Sequence, residues 1–181
     1  MNIVIGIPAY NEEKNIASII VKLKKIANTI IICDDGSTDA TAEIAKELGA
    51  IVISHSKNQG YGAAIKTIFL EAKNEQVDVL ITFDADGQHQ IKDISKVLEP
   101  INLGNADVVI GSRFLDDKTK IPTYRKIGVK LITQLTNITT GSNITDSQSG
   151  FRAYSKLALE KIIPTESGMG ISPEILIKEQ E

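Results

Sequence analysis

The chain has 181 residues, of which 42% are apolar and 24% are charged, as in a globular protein with one hydrophobic core. A net charge of −3 argues against nucleic acid as a partner, because domains that bind it are usually basic. One cysteine, Cys33, excludes internal disulfides, and no apolar run approaches the roughly 20 residues of a transmembrane helix. We expect one domain, residues 1–181, in the cytoplasm or at the cytoplasmic face of a membrane.

Short Ile- and Val-rich runs alternate along the chain with segments whose apolar residues recur at helical spacing. The predicted strands are residues 2–7, 29–33, 50–54, 78–83 and 107–111, followed by a short strand at 151–154. The predicted helices are residues 12–26, 38–48, 61–73, 125–138, 155–162 and 173–180. Since most strands are apolar at successive positions, we expect an α/β fold with a mostly parallel, Rossmann-like sheet buried between helices.

Polar and acidic residues follow four of the predicted strands, in the stretches PAYNEE, DDGSTD, DADGQH and GSRF. In open α/β sheets, ligands bind beyond the carboxyl ends of the strands. The sequence therefore predicts a binding site at that edge.

Asp84 and Asp86 lie two residues apart after the fourth strand, so an extended chain would project both carboxylates to one side. Their repulsion is relieved if a cation lies between them, and Gln88 adds a neutral oxygen. All-oxygen ligands suit Mg²⁺ or Mn²⁺, with substrate phosphates completing the coordination. The alternative is that Asp84 caps the next helix and Asp86 is a solvated turn residue.

Asp34 and Asp35 end the second strand, before Gly36 and Ser37. One carboxylate is available to accept from a nucleobase or ribose, while Ser37 or Asp39 can cap the next helix. A capped turn without ligand contact remains the alternative. For the glycine-rich stretch NQGYGAAI, residues 58–65, we expect close packing of helix against sheet, because its position does not fit a dinucleotide fingerprint.

Arg113, Arg125 and Arg152 follow the later strands and loops. A guanidinium fork binds phosphate oxygens in pairs, so these arginines suit phosphate or diphosphate binding, with surface ion pairs as the alternative. The helix at 125–138 carries an apolar row beside Lys126 and Lys130, which suits either a membrane surface or packing on the core.

The motifs IPAYNEE, CDDGSTD, NQGYGAAI, DADGQH, IGSRF and DSQSGFRAY occur in this order over about residues 2–178. With these six motifs the sequence resembles the inverting family 2 glycosyltransferases of the GT-A fold, and most closely the dolichol-phosphate mannose and glucose synthases. The resemblance implies transfer of one hexose, mannose or glucose, from a nucleoside-diphosphate sugar (GDP-mannose or UDP-glucose) to a polyprenyl phosphate, with Mg²⁺ or Mn²⁺ as cofactor. It also implies peripheral contact with a membrane.

The resemblance also assigns roles to residues at matching positions. It implies catalytic roles for Asp84, Asp86 and Arg113, and metal ligation by Asp86 and Gln88. The implied acceptor side consists of Arg113, Arg125, Asp146 and Arg152. The implied nucleotide-sugar site consists of Pro8, Tyr10, Glu12, Cys33, Asp35, Asp84, Ala85 and Asp86, with Asp35 at the base.

Three alternatives accompany this prediction. A nucleotidyltransferase would carry a glycine-rich, basic first turn, and the acidic stretch PAYNEE argues against that class. The acceptor is either a lipid phosphate or a saccharide. Members of the resembled family usually continue with a strand and a basic segment beyond the position where this chain ends, at Glu181, so a nucleotide-sugar-binding module without turnover is the third alternative.

Overall fold

The computed structural model describes residues 1–85, 90–115, 123–166, 168 and 170–178. Within these ranges, six strands form one sheet in the order β3-β2-β1-β4-β6-β5. The strands are β1 (Ile3–Ala9), β2 (Thr29–Asp34), β3 (Ile51–Ser54), β4 (Val79–Thr82), β5 (Val108–Ile110) and β6 (Arg152–Ser155). The helices are α1 (Ile16–Leu23), α2 (Thr41–Glu47), α3 (Tyr61–Asn74), α4 (Ile94–Asn102), α5 (Thr123–Thr140), α6 (Lys156–Lys161) and α7 (Ile171–Lys178).

The first four strands pair in parallel, whereas β6 lies antiparallel between β4 and β5. Because β6 reverses direction against both neighbours, β5 runs the same way as β4. The mostly parallel α/β sheet predicted from the apolar strand runs is therefore confirmed, and β6 is its one antiparallel strand within the described residues.

The sheet separates two hydrophobic cores, and alternate residues of β1 contribute to each. Ile5 and Ile7 pack on one face, with α1 and α4, while Val4 packs on the other, with α3 and α7. A Cβ on Gly6 would lie 2.2 Å from the Cγ2 atom of Ile68, so α3 approaches β1 as closely as only a glycine permits. This tight packing fixes the middle of α3 against β1.

Helix α4 is not among the elements predicted above, although Ile94, Val97, Leu98 and Ile101 have helical spacing and the first three are buried. Pro100 lies in its last turn, and because proline has no N–H, the Lys96 carbonyl receives no intrahelical hydrogen bond from this position. All six helices predicted from the sequence are present, and their ends differ from the predicted ones by a few residues.

The strand register brings the functional loops to one edge of the sheet. Ala9 at the end of β1 pairs with Asp34 at the end of β2. On the other side, Arg152 at the start of β6 pairs with both Thr82 of β4 and Ile110 of β5. The loops after β1, β2, β4 and β5 and the loop before β6 therefore meet at this edge, as the sequence predicts.

Candidate active site

The loops after β1 and β2 are joined by hydrogen bonds between backbone and side chains. Asn11, with φ of 54°, donates its N–H to the Ser37 hydroxyl at 2.9 Å, and its side-chain oxygen accepts from the Thr38 N–H at 2.9 Å. The Glu12 N–H donates to the Thr41 hydroxyl at 2.7 Å. These bonds hold the PAYNEE and DDGSTD loops as one unit.

Of the two predicted helix caps, Asp39 accepts from the Thr41 N–H at the start of α2, at 3.0 Å. Ser37 instead faces Asn11.

Asp35 lies behind this unit and is 4% exposed. Its Oδ1 atom lies 2.7 Å from the Nδ1 atom of His55 and accepts from the Gln59 N–H at 2.9 Å, while Oδ2 accepts from the Gly60 N–H at 2.8 Å. A Cβ on Gly36 would lie 2.5 Å from the Lys57 carbonyl carbon, so the turn after β2 packs directly on the 57–60 backbone. The Asp35 carboxylate is consequently held in one orientation.

The Cys33 side chain has 0% exposure and points away from the sheet edge, into the core beside α3. Its Sγ atom lies 3.5 Å from the Nε2 atom of His55. Burial raises the pKa of Cys33, and the negative charges of Asp35 and Asp34 raise it further. A hydrogen bond with Thr67 lowers this pKa by less, and the result is a pKa of about 12. The prediction that Cys33 lines the nucleotide site can therefore hold for its backbone but not for its thiol.

The remaining residues predicted for nucleotide binding lie at or near the edge. Tyr10 is 47% exposed, Pro8 and Glu12 are half-buried, and Ala85 is 4% exposed. Tyr10 thus offers an accessible ring directly after β1, where an aromatic face can stack on a base.

Asp84 packs against Gly150 and Tyr61. A Cβ on Gly150 would lie 2.3 and 2.5 Å from the two Asp84 carboxylate oxygens and 2.5 Å from the Tyr61 hydroxyl. The Gly150 carbonyl in turn accepts from the Thr82 hydroxyl at 2.6 Å. Burial, reinforced by the Asp84 charge, holds the pKa of Tyr61 well above its ordinary value, so that the hydroxyl keeps its proton. Gly150 thus leaves the space that the Asp84 carboxylate occupies.

Asp86 and Gln88, predicted to ligate the metal, lie outside the described residues, and so does the side chain of Arg125. Among the residues that the structure describes, no group of three His, Cys, Asp or Glu side chains is arranged to hold a metal ion. The cation site at Asp86 and Gln88 therefore stays a prediction.

Arg113 and Asp146, both predicted on the acceptor side, form an ion pair. The Nε and Nη2 groups of Arg113 donate to the two oxygens of Asp146 at 2.8 and 3.0 Å, and the Arg113 backbone N–H adds a third bond at 3.2 Å. The Asp146 side chain has 0% exposure, whereas Arg113 keeps 15%. A buried carboxylate thus orients the guanidinium at the site edge.

Arg152 has a different role from the predicted phosphate binding. It is 2% exposed, and its guanidinium donates to the carbonyl oxygens of Ser149, Ser172 and Ser147 at 2.9, 2.9 and 2.7 Å. A guanidinium buried by three backbone acceptors cannot reach a ligand without breaking them, so the assignment of Arg152 as a phosphate-binding arginine is wrong. Arg152 instead joins the 147–149 loop to α7.

Helix α7 is itself tied to the preceding segment through Glu174. This carboxylate accepts from the Thr165 and Glu166 N–H groups at 2.8 and 2.9 Å and pairs with Lys178 at 2.8 Å. Burial alone would raise the pKa of Glu174, but the hydrogen bonds from Lys178, the Thr165 hydroxyl and the two N–H groups lower it to about 2.

The apolar row of α5 is exposed. The outward residues, 40% to 74% exposed, are Ile127, Leu131, Ile132, Leu135 and Ile138. The helix buries Val129, Thr133 and Thr136 instead, and Thr133 bonds to Ser147 at 3.1 Å. Packing of the apolar row on the core, one of the two alternatives above, is therefore wrong. No helix in the described ranges is both long and apolar enough to span a bilayer.

Three residues of the site lie beyond the sequence predictions. Tyr61 belongs to the stretch NQGYGAAI, for which packing of helix against sheet is predicted, and Gly150 belongs to SQSGFR, in which only Arg152 has a predicted role. His55 has no predicted role. The one available signal was that His55 follows β3, at the same edge as the other loops.

A family model described as "Glycosyl transferase family 2" matches residues 4–163. The chain belongs to glycosyl transferase family 2. It is 40% identical over 174 residues to the UDP-N-acetylglucosamine–dolichyl-phosphate N-acetylglucosaminyltransferase of Methanococcus voltae, covering 85% of this chain and 69% of that protein. It is 34% identical over 171 residues to the dolichyl-phosphate hexose transferase of Haloferax volcanii, covering 93% and 72%.

Among solved structures, glucosyl-3-phosphoglycerate synthase from Mycobacterium tuberculosis, in complex with Mn²⁺, UDP-glucose and phosphoglyceric acid, superposes with a TM-score of 0.76 at 22% identity. The match covers 97% of this chain but 63% of that one. The GT-A fold expected from the motifs is confirmed, and this family 2 glycosyltransferase matches less than two thirds of that synthase's length.

Proposed function

We propose that this glycosyltransferase moves one hexose from a nucleoside-diphosphate sugar to a polyprenyl phosphate, with inversion at the anomeric carbon. The observation that carries the proposal is that one sheet edge holds Asp35, which is oriented by three donors, the Asp84 carboxylate and the oriented cation Arg113. The relatives from Methanococcus voltae and Haloferax volcanii, whose names specify dolichyl phosphate, support the lipid acceptor.

In this proposal the nucleotide lies over the loops after β1 and β2, with its base beside Tyr10 and Asp35. Asp84 borders the ribose and diphosphate. Asp86 and Gln88 supply a carboxylate and an amide oxygen, the donor types that suit Mg²⁺ or Mn²⁺. A divalent ion held there would offset the charge on the leaving nucleoside diphosphate.

The acceptor needs no strong base, because a phosphate monoester already carries negative charge at pH 7. Its oxygen attacks the anomeric carbon opposite the leaving group, and the new carbon–oxygen bond forms as the bond to the diphosphate breaks. The electron pair of the broken bond leaves with the nucleoside diphosphate. Arg113, oriented by Asp146, positions the acceptor anion, and Arg125 is proposed to assist.

Transfer of radiolabelled sugar from GDP-mannose, UDP-glucose or UDP-N-acetylglucosamine to a short polyprenyl phosphate, with Mn²⁺, tests the proposal. Asp86→Ala should lose at least 100-fold in rate, whereas Glu47→Ala, an exposed carboxylate at the end of α2, should not change it. Asp86→Ala at the wild-type rate contradicts the proposal. Nucleotide binding without turnover favours the binding module, and transfer only to a saccharide favours a non-lipid acceptor.

For the exposed apolar face of α5 we propose contact with the surface of an anionic bilayer, where the acceptor lipid resides. The face combines four residues at least 57% exposed with the exposed lysines Lys126 and Lys130, a pairing of apolar and basic groups that suits anionic headgroups. The exposed residues are Ile127, Leu131, Leu135 and Ile138.

Co-sedimentation with phosphatidylglycerol vesicles tests this contact. Leu131→Asp with Leu135→Asp should abolish pelleting at an unchanged melting temperature, because both side chains are exposed. Leu70→Asp, a matched change on α3 at a leucine that is 66% exposed, should leave pelleting intact. No pelleting of the wild type contradicts the contact, and a dimer by light scattering that the double variant dissolves would show that a second copy covers the face.

A further inference from the structure

His55 stands apart from the described chemistry, although it is a titratable side chain at the site edge. It follows β3 directly, and its backbone N–H donates to the Asp34 carbonyl at 2.9 Å. The side chain is only 10% exposed, and both ring nitrogens have partners. A nearly buried imidazole thus contacts Asp35, the carboxylate proposed to bind the base, and can influence how that carboxylate is oriented.

We infer that His55 is a positioning residue that, with the backbone N–H groups of Gln59 and Gly60, holds the Asp35 carboxylate in the orientation that reads the nucleobase. This inference rests on the proposed function, in which Asp35 meets the base. It assigns base discrimination to a residue that contacts the ligand only through Asp35.

The tautomer of His55 follows from its partners. Nδ1 lies 2.7 Å from Asp35 Oδ1, and an ionised carboxylate only accepts, so Nδ1 carries the hydrogen. Nε2 lies 2.9 Å from the Thr67 hydroxyl, which can donate to a bare nitrogen. Thr67 belongs to α3, the helix that packs tightly on Gly6, so the chain of contacts begins on a rigid element.

The donors also define what Asp35 can still accept. A carboxylate offers about four acceptor positions, of which Oδ1 uses two and Oδ2 one for these three donors. A fourth donor, supplied by the ligand, can therefore bond only to the remaining acceptor position of Oδ2, whose direction the three protein donors fix. Uracil presents a ring N–H at N3 and guanine one at N1, whereas cytosine and adenine have no hydrogen there at neutral pH and donate only from the exocyclic amino group beside it, a different position for a carboxylate held in one orientation. Asp35 thus favours uracil or guanine, and His55 maintains that preference.

Calorimetry with four nucleotides and Mn²⁺ tests the inference. For the wild type, UDP should bind at least tenfold more tightly than CDP, or GDP more tightly than ADP. His55→Ala should reduce that ratio towards one. His55→Asn should restore it to within about threefold, because an asparagine amide places an N–H near the Nδ1 position. Restoration by the isosteric donor is not expected if His55 serves stability alone.

The outcomes separate the inference from the proposed function. A wild type that binds none of the four nucleotides overturns the proposed function and the inference with it. A wild type that binds them without discrimination, or a folded His55→Ala variant with an unchanged ratio, overturns only the inference. If His55→Ala does not fold, ¹⁵N-histidine NMR of the wild type decides, with the His55 signal assigned by its loss in His55→Asn. A bare Nδ1 overturns the inference, and a protonated Nδ1 with a bare Nε2 supports it.

Discussion

Replacement of Gly150 by alanine should displace the Asp84 carboxylate without removing any functional group. The new Cβ would lie 2.3 Å from one Asp84 oxygen and 2.5 Å from the other, whereas ordinary contacts begin at 3.4 Å. Asp84 must therefore move by about 1 Å. A misplacement of this size can cost about 100-fold in rate, equivalent to ~2.7 kcal/mol of transition-state stabilisation.

The assay is kcat/KM for nucleoside-diphosphate release in the presence of acceptor, together with nucleotide affinity and the free energy of unfolding. Overpacking at Gly150 should cost roughly 1–3 kcal/mol of stability. The matched control is Gly128→Ala in α5, where an added Cβ meets nothing within 4 Å. It should leave nucleotide affinity unchanged and stabilise the helix by up to about 1 kcal/mol. A folded Gly150→Ala variant with wild-type kcat/KM would refute the reasoning.

Three further predictions concern stability and reactivity. The pKa of Glu174 is lowered to about 2, so its carboxylate should stabilise the fold above the unfolded pKa, near 4.5, and lose this contribution as the pH falls towards 2. In denaturant titrations, the free energy of unfolding of Glu174→Gln should be lower than that of the wild type by an amount on the order of 2 kcal/mol at pH 6, and the difference should vanish by pH 2. Arg152→Lys should lose at least ~3 kcal/mol in urea unfolding, because one ammonium cannot serve three separated carbonyls, and a smaller loss would contradict the structural role of Arg152. With its pKa raised to about 12, Cys33 should resist Ellman's reagent at pH 8 until guanidinium unfolds the chain; rapid reaction of the native protein would show that the thiol is reachable.

The sequence predicts the sheet and its functional edge because both follow from short-range patterns. Apolar runs such as residues 29–33 predict buried strands, and Asp34 and Asp84 appear where those strands end. The edge arrangement then follows from parallel pairing, without knowledge of any side-chain position.

The different surroundings of Arg113 and Arg152 result from packing, which sequence spacing does not specify. Arg113 and Arg152 look alike in sequence, as cations near acidic loops. In the fold, Arg113 meets the buried carboxylate of Asp146 and keeps an exposed portion, whereas Arg152 is enclosed by carbonyls of the 147–149 loop and α7. The direction in which α5 presents its leucines is similarly decided by Thr133 and Thr136, which find partners or burial inward.

The position of β6 between β4 and β5 has a consequence for the order of folding. Strand β5 pairs only with β6 among the described residues. Its Ile110 can pair with Arg152 only after that residue, about 42 positions later in the chain, has been synthesised. Strand β1 also has a distant partner, because Ile3 pairs with Val79, but all of β1 to β4 has been synthesised by Thr82. Because the chain emerges from its N-terminus, the half of the sheet that carries Asp35 can condense on the ribosome first. The half that carries Arg113 assembles last, when β6 emerges and brings Gly150 against Asp84.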